Sequence, residues 1–399
     1  MRRTATIGLF AAISLAFTAA PCWAEDGPSI KRVAAGLHDG HAFGPRLKSD
    51  GAWIAYGVRE SVKGTFKTSY YARSLTESGL FRSVWPNKHP ALTSQEGTAS
   101  FTDMVGYEWG SSDKSGAMVA QHKTKGAEVL IEGINVRVGG PGAQHSPAMS
   151  PDNSRLVVVS ESQEGGATDL FVADTATEGD TGFQLTFTGD SELSPSWHPT
   201  EAKIIHEVRN PLGADIHVFD LDSFEHTPIL RLGTSDEIQP TYSPDGKRIA
   251  FLSNKDSKDG LRWDLFVFTP GASLPQPVIK GVRRSEKSRG YCWDPLGRYL
   301  IAAVEDKLAG YPLVIAPSDG TEPARVLATT KDNMDPTITA VGERALLAWV
   351  AIDTEPRPGG AQYRVVYVAD FGLMGYGDAA GLQAQTPTVR SKSDAPAAK

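Results

Sequence analysis

Cysteine is almost absent from this chain. Among its 399 residues only Cys22 and Cys292 are cysteines, and Cys22 falls at the end of an apolar N-terminal segment. If that segment is removed, Cys292 is the one thiol left and no internal disulfide can form, so the folded protein must be stabilised by packing. No Cys-x-x-Cys-His motif occurs, so a covalently attached haem would have to be carried by another chain. Cys292 lies between two aromatic residues in an apolar run, and we expect it to be buried and unreactive.

Two other functional signatures are missing. The chain has no Gly-x-Ser-x-Gly, the turn that presents the nucleophile of α/β-fold serine hydrolases. Its formal net charge is −7 and it has no basic domain or stripe, so no nucleic-acid partner is expected. These absences argue against serine-hydrolase chemistry and against nucleic-acid binding.

Residues 1–24 have the features of a secretory signal peptide. Two arginines supply a positive start, an apolar run of small residues follows, and Cys22-Trp23-Ala24 gives a cleavage triplet before Glu25. The run is too short and wrongly flanked for a membrane-spanning helix. An uncleaved anchor and a lipid-modified Cys22 are the alternatives, and Pro21 argues against the second. We therefore expect a periplasmic or secreted protein with no membrane span after cleavage.

The stretch Gln239–Asp264 contains the pattern on which the rest of the chain is built. Its centre is the turn Ser243-Pro244-Asp245-Gly246, in which proline presets φ, aspartate bonds its own backbone and glycine takes a positive φ. The apolar, β-rich runs Arg248–Ser253 and Leu265–Phe268 predict strands on either side of a polar hairpin. A sheet this small cannot bury its own faces, so the pattern predicts neighbouring copies.

Copies of this pattern occur on both sides of the first. Asp169, Asp215 and Asp264 open equivalent strands at spacings of 46 and 49 residues, within the range of roughly 40–50 residues for propeller blades. The sequence therefore predicts an all-β fold, a seven-bladed β-propeller, with six blades as the alternative because the second unit is weak. The seven units span residues 45–56, 107–131, 147–174, 194–220, 239–268, 291–316 and 336–370.

The two ends of this array predict how the ring closes. Most units finish with a fourth short strand, but the unit that ends at Asp370 has none, and Ile30–Ala34 is a strand without a partner. We expect this N-terminal strand to complete the last blade, which removes exposed sheet edges. The predicted domains are a signal peptide at 1–24, a β-propeller at 25–370 and a largely disordered C-terminal tail at 371–399.

The repeat resembles that of a known family. Pro240, Tyr242, the turn 243–247 and the strand Ile249-Ala250-Phe251 are similar to the WD40-like repeat of the TolB-type β-propellers, and the resemblance covers nearly all of the chain after the signal peptide. It implies the propeller fold, but it implies little about function because these residues form turns and blade contacts in every member. Members of the family include periplasmic proteins that bind partners at the propeller mouth, non-catalytic subunits of exported enzymes and the propeller halves of some peptidases.

Polar residues begin or precede the innermost strand of each predicted blade. If these strands line the channel, the loops before them surround one mouth, and a polar, mostly acidic rim of this kind suits a cationic peptide or a small polar ligand. Ordinary solvent-exposed loop residues are the alternative. The candidate binding residues are His41, Asp103, His145, Glu192, Glu237, Arg289 and Asp332.

The most metal-like motif is the pair His38 and His41, with His145 as a third histidine before an inner strand. A loop fixes no ligand geometry at this spacing, and a catalytic zinc site needs three protein ligands and an open position. Solvent-exposed loop histidines are therefore favoured, and no cofactor is expected.

The sequence favours a non-catalytic function. It predicts an exported propeller that binds protein partners as a scaffold or subunit of a periplasmic or cell-envelope assembly, and it identifies no catalytic residue. Two alternatives stay open. One is a structural subunit of an exported redox enzyme complex, and the other is a metal-dependent propeller enzyme of the lyase or lactonase type.

Overall fold

Every regular element in the described part of the chain is a β-strand. The computed structural model describes residues 30–33 and 40–372, except for 63, 76–80, 84–100, 110–115, 123–125, 132–133, 139–143, 162–165, 176, 178–181, 286–288, 307–309, 329 and 355–359. The all-β prediction is confirmed. The predicted signal peptide and most of the predicted tail lie outside the described residues. Within the described ranges no helix has the length and apolar character needed to cross a membrane.

The strands follow one another along the chain with short connections. They are β1 (Ile30–Val33), β2 (Gly40–Leu47), β3 (Trp53–Val62), β4 (Thr65–Ser74), β5 (Phe81–Ser83), β6 (Phe101–Trp109), β7 (Gly116–His122), β8 (Gly126–Ile131), β9 (Ile134–Val138), β10 (Gln144–Met149), β11 (Arg155–Glu161), β12 (Thr168–Asp174), β13 (Phe183–Gln184), β14 (Ser191–Trp197), β15 (Lys203–Asn210), β16 (Gly213–Asp220), β17 (Glu225–Leu230), β18 (Glu237–Tyr242), β19 (Ile249–Ser253), β20 (Asp264–Phe268), β21 (Gln276–Ile279), β22 (Tyr291–Trp293), β23 (Tyr299–Ala303), β24 (Leu313–Pro317), β25 (Arg325–Ala328), β26 (Met334–Val341), β27 (Arg344–Ile352) and β28 (Arg364–Gly372).

These strands form four-stranded antiparallel sheets, seven of them within the described residues. Sheets 1 to 6 are the consecutive sets β2–β5, β6–β9, β10–β13, β14–β17, β18–β21 and β22–β25. Sheet 7 has the order β1-β28-β27-β26, so its outer strand comes from the start of the chain. The pairing runs from Ile30 opposite Ala369 to Val33 opposite Val366.

Neighbouring sheets pack face to face because side chains alternate along each strand. In β15, Ile204 points to a cluster that contains Val157 of sheet 3, whereas Ile205 points to a cluster that contains Phe251 of sheet 5. Sheet 4 is therefore buried on both faces, which explains why Ile204 and Ile205 of its strand β15 are apolar at consecutive positions.

Sheet 7 packs face to face on sheet 1 in the same way. Val350 of β27 packs with Ile54 and Tyr56 of β3, and Val33 of β1 belongs to the same cluster. On its other face, Trp349 of β27 packs with residues of sheet 6.

The Ser-Pro-Asp-Gly turn forms as the sequence predicts. The Ser243 hydroxyl donates to Asp245 Oδ1 over 2.5 Å, and the same hydroxyl accepts from the Arg248 N–H at 3.0 Å. Gly246 has a φ of 73°, and a Cβ at this position would stand 2.4 Å from His198 Nε2 of the adjacent sheet. Glycine is therefore required both by the turn and by the contact between sheets.

We call β2, β6, β10, β14, β18, β22 and β26 the first strands, because each begins a run of consecutive strands in one sheet. Several of them carry a bulge that was not predicted from the sequence. In five of them the residue before a proline has a positive φ, between 51° and 54°, and the pairing register shifts at that point. A bulge turns one peptide group away from the ladder and leaves it available to another partner. The Gly44 N–H, for example, donates to Asp335 Oδ2 across the boundary between sheets 1 and 7 at 2.9 Å. The five positions are Gly44, Ser146, Ser194, Gln239 and Asp335.

Candidate functional site

The predicted rim residues all lie at the start of a first strand or just before it. First strands of neighbouring sheets contact one another, as β10 contacts β6 and β14, so their starts lie around a common end of the assembly. We call this end the mouth. His41, Asp103, His145, Glu192 and Glu237 lie inside first strands, and Arg289 and Asp332 each lie two residues before one. The side chain of Asp103 is outside the described part of the structure.

The structure brings two of the predicted residues together, His41 and Asp332, and adds two arginines. Arg364, at the start of β28, donates from Nε to Asp332 Oδ2 over 2.7 Å. Arg283, in the loop before β22, forms an ion pair with Asp332 Oδ1 and donates from Nη1 to the Asn333 carbonyl at 3.2 Å. His41 Nδ1 accepts the backbone N–H of Arg364 at 3.3 Å. We call these four residues the mouth cluster.

The mouth cluster has excess positive charge. It contains two guanidinium groups and one carboxylate, while the side chains of Arg283, Asp332 and Arg364 are 18%, 15% and 28% exposed. Asp332 pairs with Arg283 through Oδ1 and with Arg364 through Oδ2, which fixes the two cations side by side. Arg364 Nη1 and Arg283 Nη2 make no hydrogen bond to the described residues, and the Arg283 guanidinium lies over the Tyr311 ring with its Cζ 4.6 Å from the ring centroid. Planar guanidinium donors in a fixed arrangement are suited to binding a carboxylate or phosphate.

His41 contributes a further donor. Burial is the main cause that lowers its pKa, the Arg364 charge lowers it further, and Asp332 acts in the opposite direction. The imidazole is therefore neutral at neutral pH. Because Nδ1 accepts the Arg364 N–H, the remaining proton lies on Nε2. The burial is partial, because His41 keeps an exposed surface, and its ring contacts Tyr363 edge-on with ring centroids 5.4 Å apart.

Glu192 and Glu237 do not form an acidic rim. Both side chains are completely buried. Glu192 accepts hydrogen bonds from Thr188 and Thr186, at 2.5 and 3.2 Å, and Glu237 accepts from Ser235 at 2.7 Å. They join the start of a first strand to the loop before it. Their physical role in the structure is to satisfy buried polar groups, and a role in binding stays a prediction.

The burial of Glu192 has a measurable consequence for stability. Burial and the nearby Asp169 carboxylate raise its pKa from 4.5 to about 7, against hydrogen bonds that lower it. The folded protein therefore binds more protons than the unfolded chain between these two pH values, and stability falls as pH rises through that window. Glu192→Gln is expected to remove the contribution of Glu192 to this fall and to be more stable than the wild type at pH 8, by at most about 3.5 kcal/mol at about 1.4 kcal/mol per pKa unit.

Urea unfolding at pH 5 and pH 8 measures this effect. Glu225→Gln is the matched control, because Glu225 is exposed on β17. An equal pH dependence in wild type and Glu192→Gln would contradict the prediction.

Arg289 and His145 occupy separate positions at the mouth. Arg289 donates from Nη2 to the carbonyls of Ser194 and Pro195, at 3.2 and 2.8 Å, and so links the loop before sheet 6 to the bulge of sheet 4. His145 is half-buried and lies 3.0 Å from the hydroxyl of Ser146.

The histidines proposed as metal candidates do not form a site in the described structure. His38 lies outside the described residues. Across the described ranges, no three His, Cys, Asp or Glu side chains are arranged to hold a metal ion. His41 stands beside two guanidinium groups, which repel a cation. Cys292, expected to be buried, is half-buried, and burial raises the pKa of its thiol.

Comparison with known proteins identifies the fold. No family model and no curated protein matches the chain. The chain is similar to the β-propeller domain of the Trilobed protease from Pyrococcus furiosus, with 14% identity, a TM-score of 0.52 and coverage of 85% of this chain and 99% of that one. The chain has a β-propeller fold. Two TolB structures also match it, with TM-scores of 0.39 and 0.40.

Two further similar structures are enzymes. An oligogalacturonate lyase in complex with manganese shares 12% identity and a TM-score of 0.55, and the match covers 83% of this chain and 89% of that one. A prolyl endopeptidase has the same identity and TM-score, with coverage of 83% of this chain and 50% of its own, so this chain spans about half its length. The prediction of a non-catalytic scaffold is contradicted by these enzymes. The enzyme alternative is better supported than the scaffold.

Proposed function

We propose that the seven four-stranded sheets form one closed ring of seven blades, with the mouth cluster at one end of its axis. Three observations support this. Strands of consecutive sheets contact one another, sheet 7 packs on sheet 1, and β1 completes sheet 7. A closed ring leaves only short outer edges, which suits a protein that stays monomeric.

The function that this site supports best is that of a lyase-type enzyme that acts on an acidic saccharide. The observation that carries the proposal is the mouth cluster, where two guanidinium groups and a neutral imidazole N–H lie together around a single carboxylate. These donors suit the carboxylate of a uronic acid. Oligogalacturonate, the substrate in the name of one similar enzyme, belongs to this class.

The chemistry of such a lyase is a β-elimination. A base outside the mouth cluster takes the proton from the carbon next to the carboxylate, a carbon–carbon double bond forms, and the neighbouring glycosidic carbon–oxygen bond breaks. The departing oxygen receives a proton, so the reaction needs no oxidant or water. Negative charge grows on the carboxylate oxygens as the proton leaves. Donors already fixed around those oxygens stabilise that charge without reorganisation.

Each residue of the mouth cluster has a defined part in this proposal. Arg283 and Arg364 bind the carboxylate, and Asp332 holds the two guanidinium planes side by side. His41 donates from Nε2 to an oxygen of the same substrate. The donor set does not fit manganese, because cationic side chains surround the one exposed imidazole. No step of the proposal is therefore routed through a metal.

Two measurements test the proposal. The first is the ultraviolet absorbance of the unsaturated product released from oligogalacturonate by the untagged protein. The second is calorimetric binding of a saturated oligogalacturonate and of a neutral galactose oligomer of equal length. We expect product formation, and tighter binding of the acidic oligomer by about 10-fold or more, since a hydrogen bond to a charged group contributes about 1.5–3 kcal/mol. No product and equal binding of the two oligomers would refute the proposal.

We also propose that the protein acts after export, in the periplasm or outside the cell. The support is the signal-peptide pattern of residues 1–24, with its positive start, apolar run and small-residue cleavage site.

A further inference from the structure

The mouth end of sheet 5 has an excess of positive charge, although the formal net charge of the chain is −7. The hairpin 254–263 lies at this end, because Ser253 at the end of β19 pairs with Glu237 at the start of the first strand β18. The segment 280–284 follows β21 and contains Arg283 of the mouth cluster. These two stretches hold two aspartates and six cationic side chains, which are Lys255, Lys258, Arg262, Lys280, Arg283 and Arg284.

Three of these cations are not neutralised by a neighbour. Across the described ranges, the side chains of Lys258, Lys280 and Arg284 make no hydrogen bond and no ion pair, and all three are exposed. Asp256 and Asp259 are already bound by neighbouring residues of their own hairpin. A surface with uncompensated cations attracts an anionic partner.

The backbone around Arg284 is anchored on both sides. The Val282 N–H donates to the Trp263 carbonyl of sheet 5 at 2.7 Å, and the Arg283 N–H donates to the Ala303 carbonyl of sheet 6 at 2.8 Å. The Arg284 guanidinium lies over the Trp263 ring, with its Cζ 5.1 Å from the ring centroid. Such a cation–π contact orients the guanidinium plane and leaves its N–H edge to a ligand.

Two guanidinium groups therefore follow one another along this segment. Arg283 lies over Tyr311 of sheet 6 and pairs with Asp332, whereas Arg284 lies over Trp263 of sheet 5. Their Cα atoms are about 3.8 Å apart, as across any trans peptide bond. A chain molecule with one carboxylate in the mouth cluster thus meets Arg284 as it leaves the mouth over sheet 5.

We propose that Arg284, together with Lys258 and Lys280, binds further carboxylates of a polyuronate chain whose first carboxylate lies in the mouth cluster. This inference rests on the proposed function, because the mouth cluster selects the class of saccharide that reaches this surface. A polyuronate carries one carboxylate on each sugar, so several anions meet several cations along one bound chain. Trp263 is a positioning residue, since it acts by holding Arg284.

Affinity electrophoresis of the full chain without a tag tests this surface. A protein that binds polygalacturonate migrates more slowly through a native gel that contains the polymer. We expect the wild type to be retarded, and Arg284→Ala to need about 10-fold more polymer for the same retardation, the loss expected for one hydrogen bond to a charged group. Arg284→Lys should fall between the two, because it keeps the charge and loses the planar fork.

Lys247→Ala is the matched control. Lys247 is an exposed cation of the same sheet, but it lies in the turn between β18 and β19 at the end opposite the mouth. Its loss removes the same charge and should leave the retardation as in the wild type. Circular dichroism establishes that all variants fold.

The assay measures binding without turnover, so it separates this inference from the lyase activity. Retardation that depends on Arg284, without any unsaturated product, would refute the lyase activity and support the polyuronate surface. Unsaturated product with equal retardation of wild type and Arg284→Ala would overturn this inference alone. No retardation of the wild type would overturn it too, and so would equal Arg284-dependent retardation by poly-L-glutamate, since the surface would then accept any polyanion.

Discussion

Replacing Arg364 with alanine is expected to reduce kcat/KM for an acidic saccharide by about 10²–10³-fold, the usual effect of removing one donor from a developing oxyanion. Arg364 is the residue that joins the mouth cluster. It donates to Asp332 from Nε and Nη2, at 2.7 and 2.5 Å, and its backbone N–H orients His41. Its loss also leaves one guanidinium opposite one carboxylate, which removes the excess positive charge at the mouth.

Steady-state kinetics of the unsaturated product measure this effect. Arg364→Lys should recover only part of the activity, because an ammonium group cannot reproduce the planar fork that Asp332 holds. Arg344→Ala is the matched control. Arg344 also pairs with an aspartate, Asp370, but it begins β27 at the opposite end of sheet 7. Equal losses in Arg364→Ala and Arg344→Ala would show that the mouth cluster has no special role.

Replacing Trp349 with alanine is expected to lower the free energy of unfolding by about 3–5 kcal/mol, the range for a fully buried tryptophan. Trp349 is 0% exposed and stacks on Tyr367 with ring centroids 5.7 Å apart. Its indole N–H donates to the Thr330 hydroxyl over 2.9 Å. The variant therefore creates a cavity between sheets 6 and 7 and leaves a buried hydroxyl without its donor.

Urea denaturation followed by circular dichroism gives the comparison. Leu296→Ala is the control, since Leu296 is 44% exposed and its truncation should cost little. Trp349→Phe should fall between the wild type and the alanine variant, because it keeps the ring and loses the N–H donor. Thr330 also hydrogen-bonds Asn333, the residue after Asp332, so we expect Trp349→Ala to weaken the mouth cluster as well. A loss of less than 1 kcal/mol for Trp349→Ala would contradict this account of the core.

The strands were predictable because their signals are local. The Ser243–Gly246 turn and the apolar runs beside it lie within a few residues of each other, and the structure forms them as the sequence predicts. The pairing of β1 with β28 was predictable from a missing strand at one end of the array and a spare strand at the other. The β28 strand extends to Gly372, two residues beyond the predicted end.

The mouth cluster was only partly predictable because its contacts are non-local. Arg364 lies 32 positions from Asp332, and Arg283 lies 49 positions from it, so only sheet pairing brings them together. The rim was expected to be mostly acidic because loop position was taken to imply exposure. Glu192 and Glu237 instead accept hydrogen bonds from neighbouring hydroxyl groups inside the protein.

The pairing of Ile30–Val33 with β28 also sets the order of events in biosynthesis. The partner of the first strand is made about 340 residues later, which at about 5–20 residues per second corresponds to roughly 17–70 s of translation. Throughout that interval the backbone N–H and C=O groups of β1 lack their partners on β28, and its apolar side chains are exposed. The final sheet is therefore the last to assemble, and the nascent protein is most exposed to aggregation and to chaperones before its two distant ends meet.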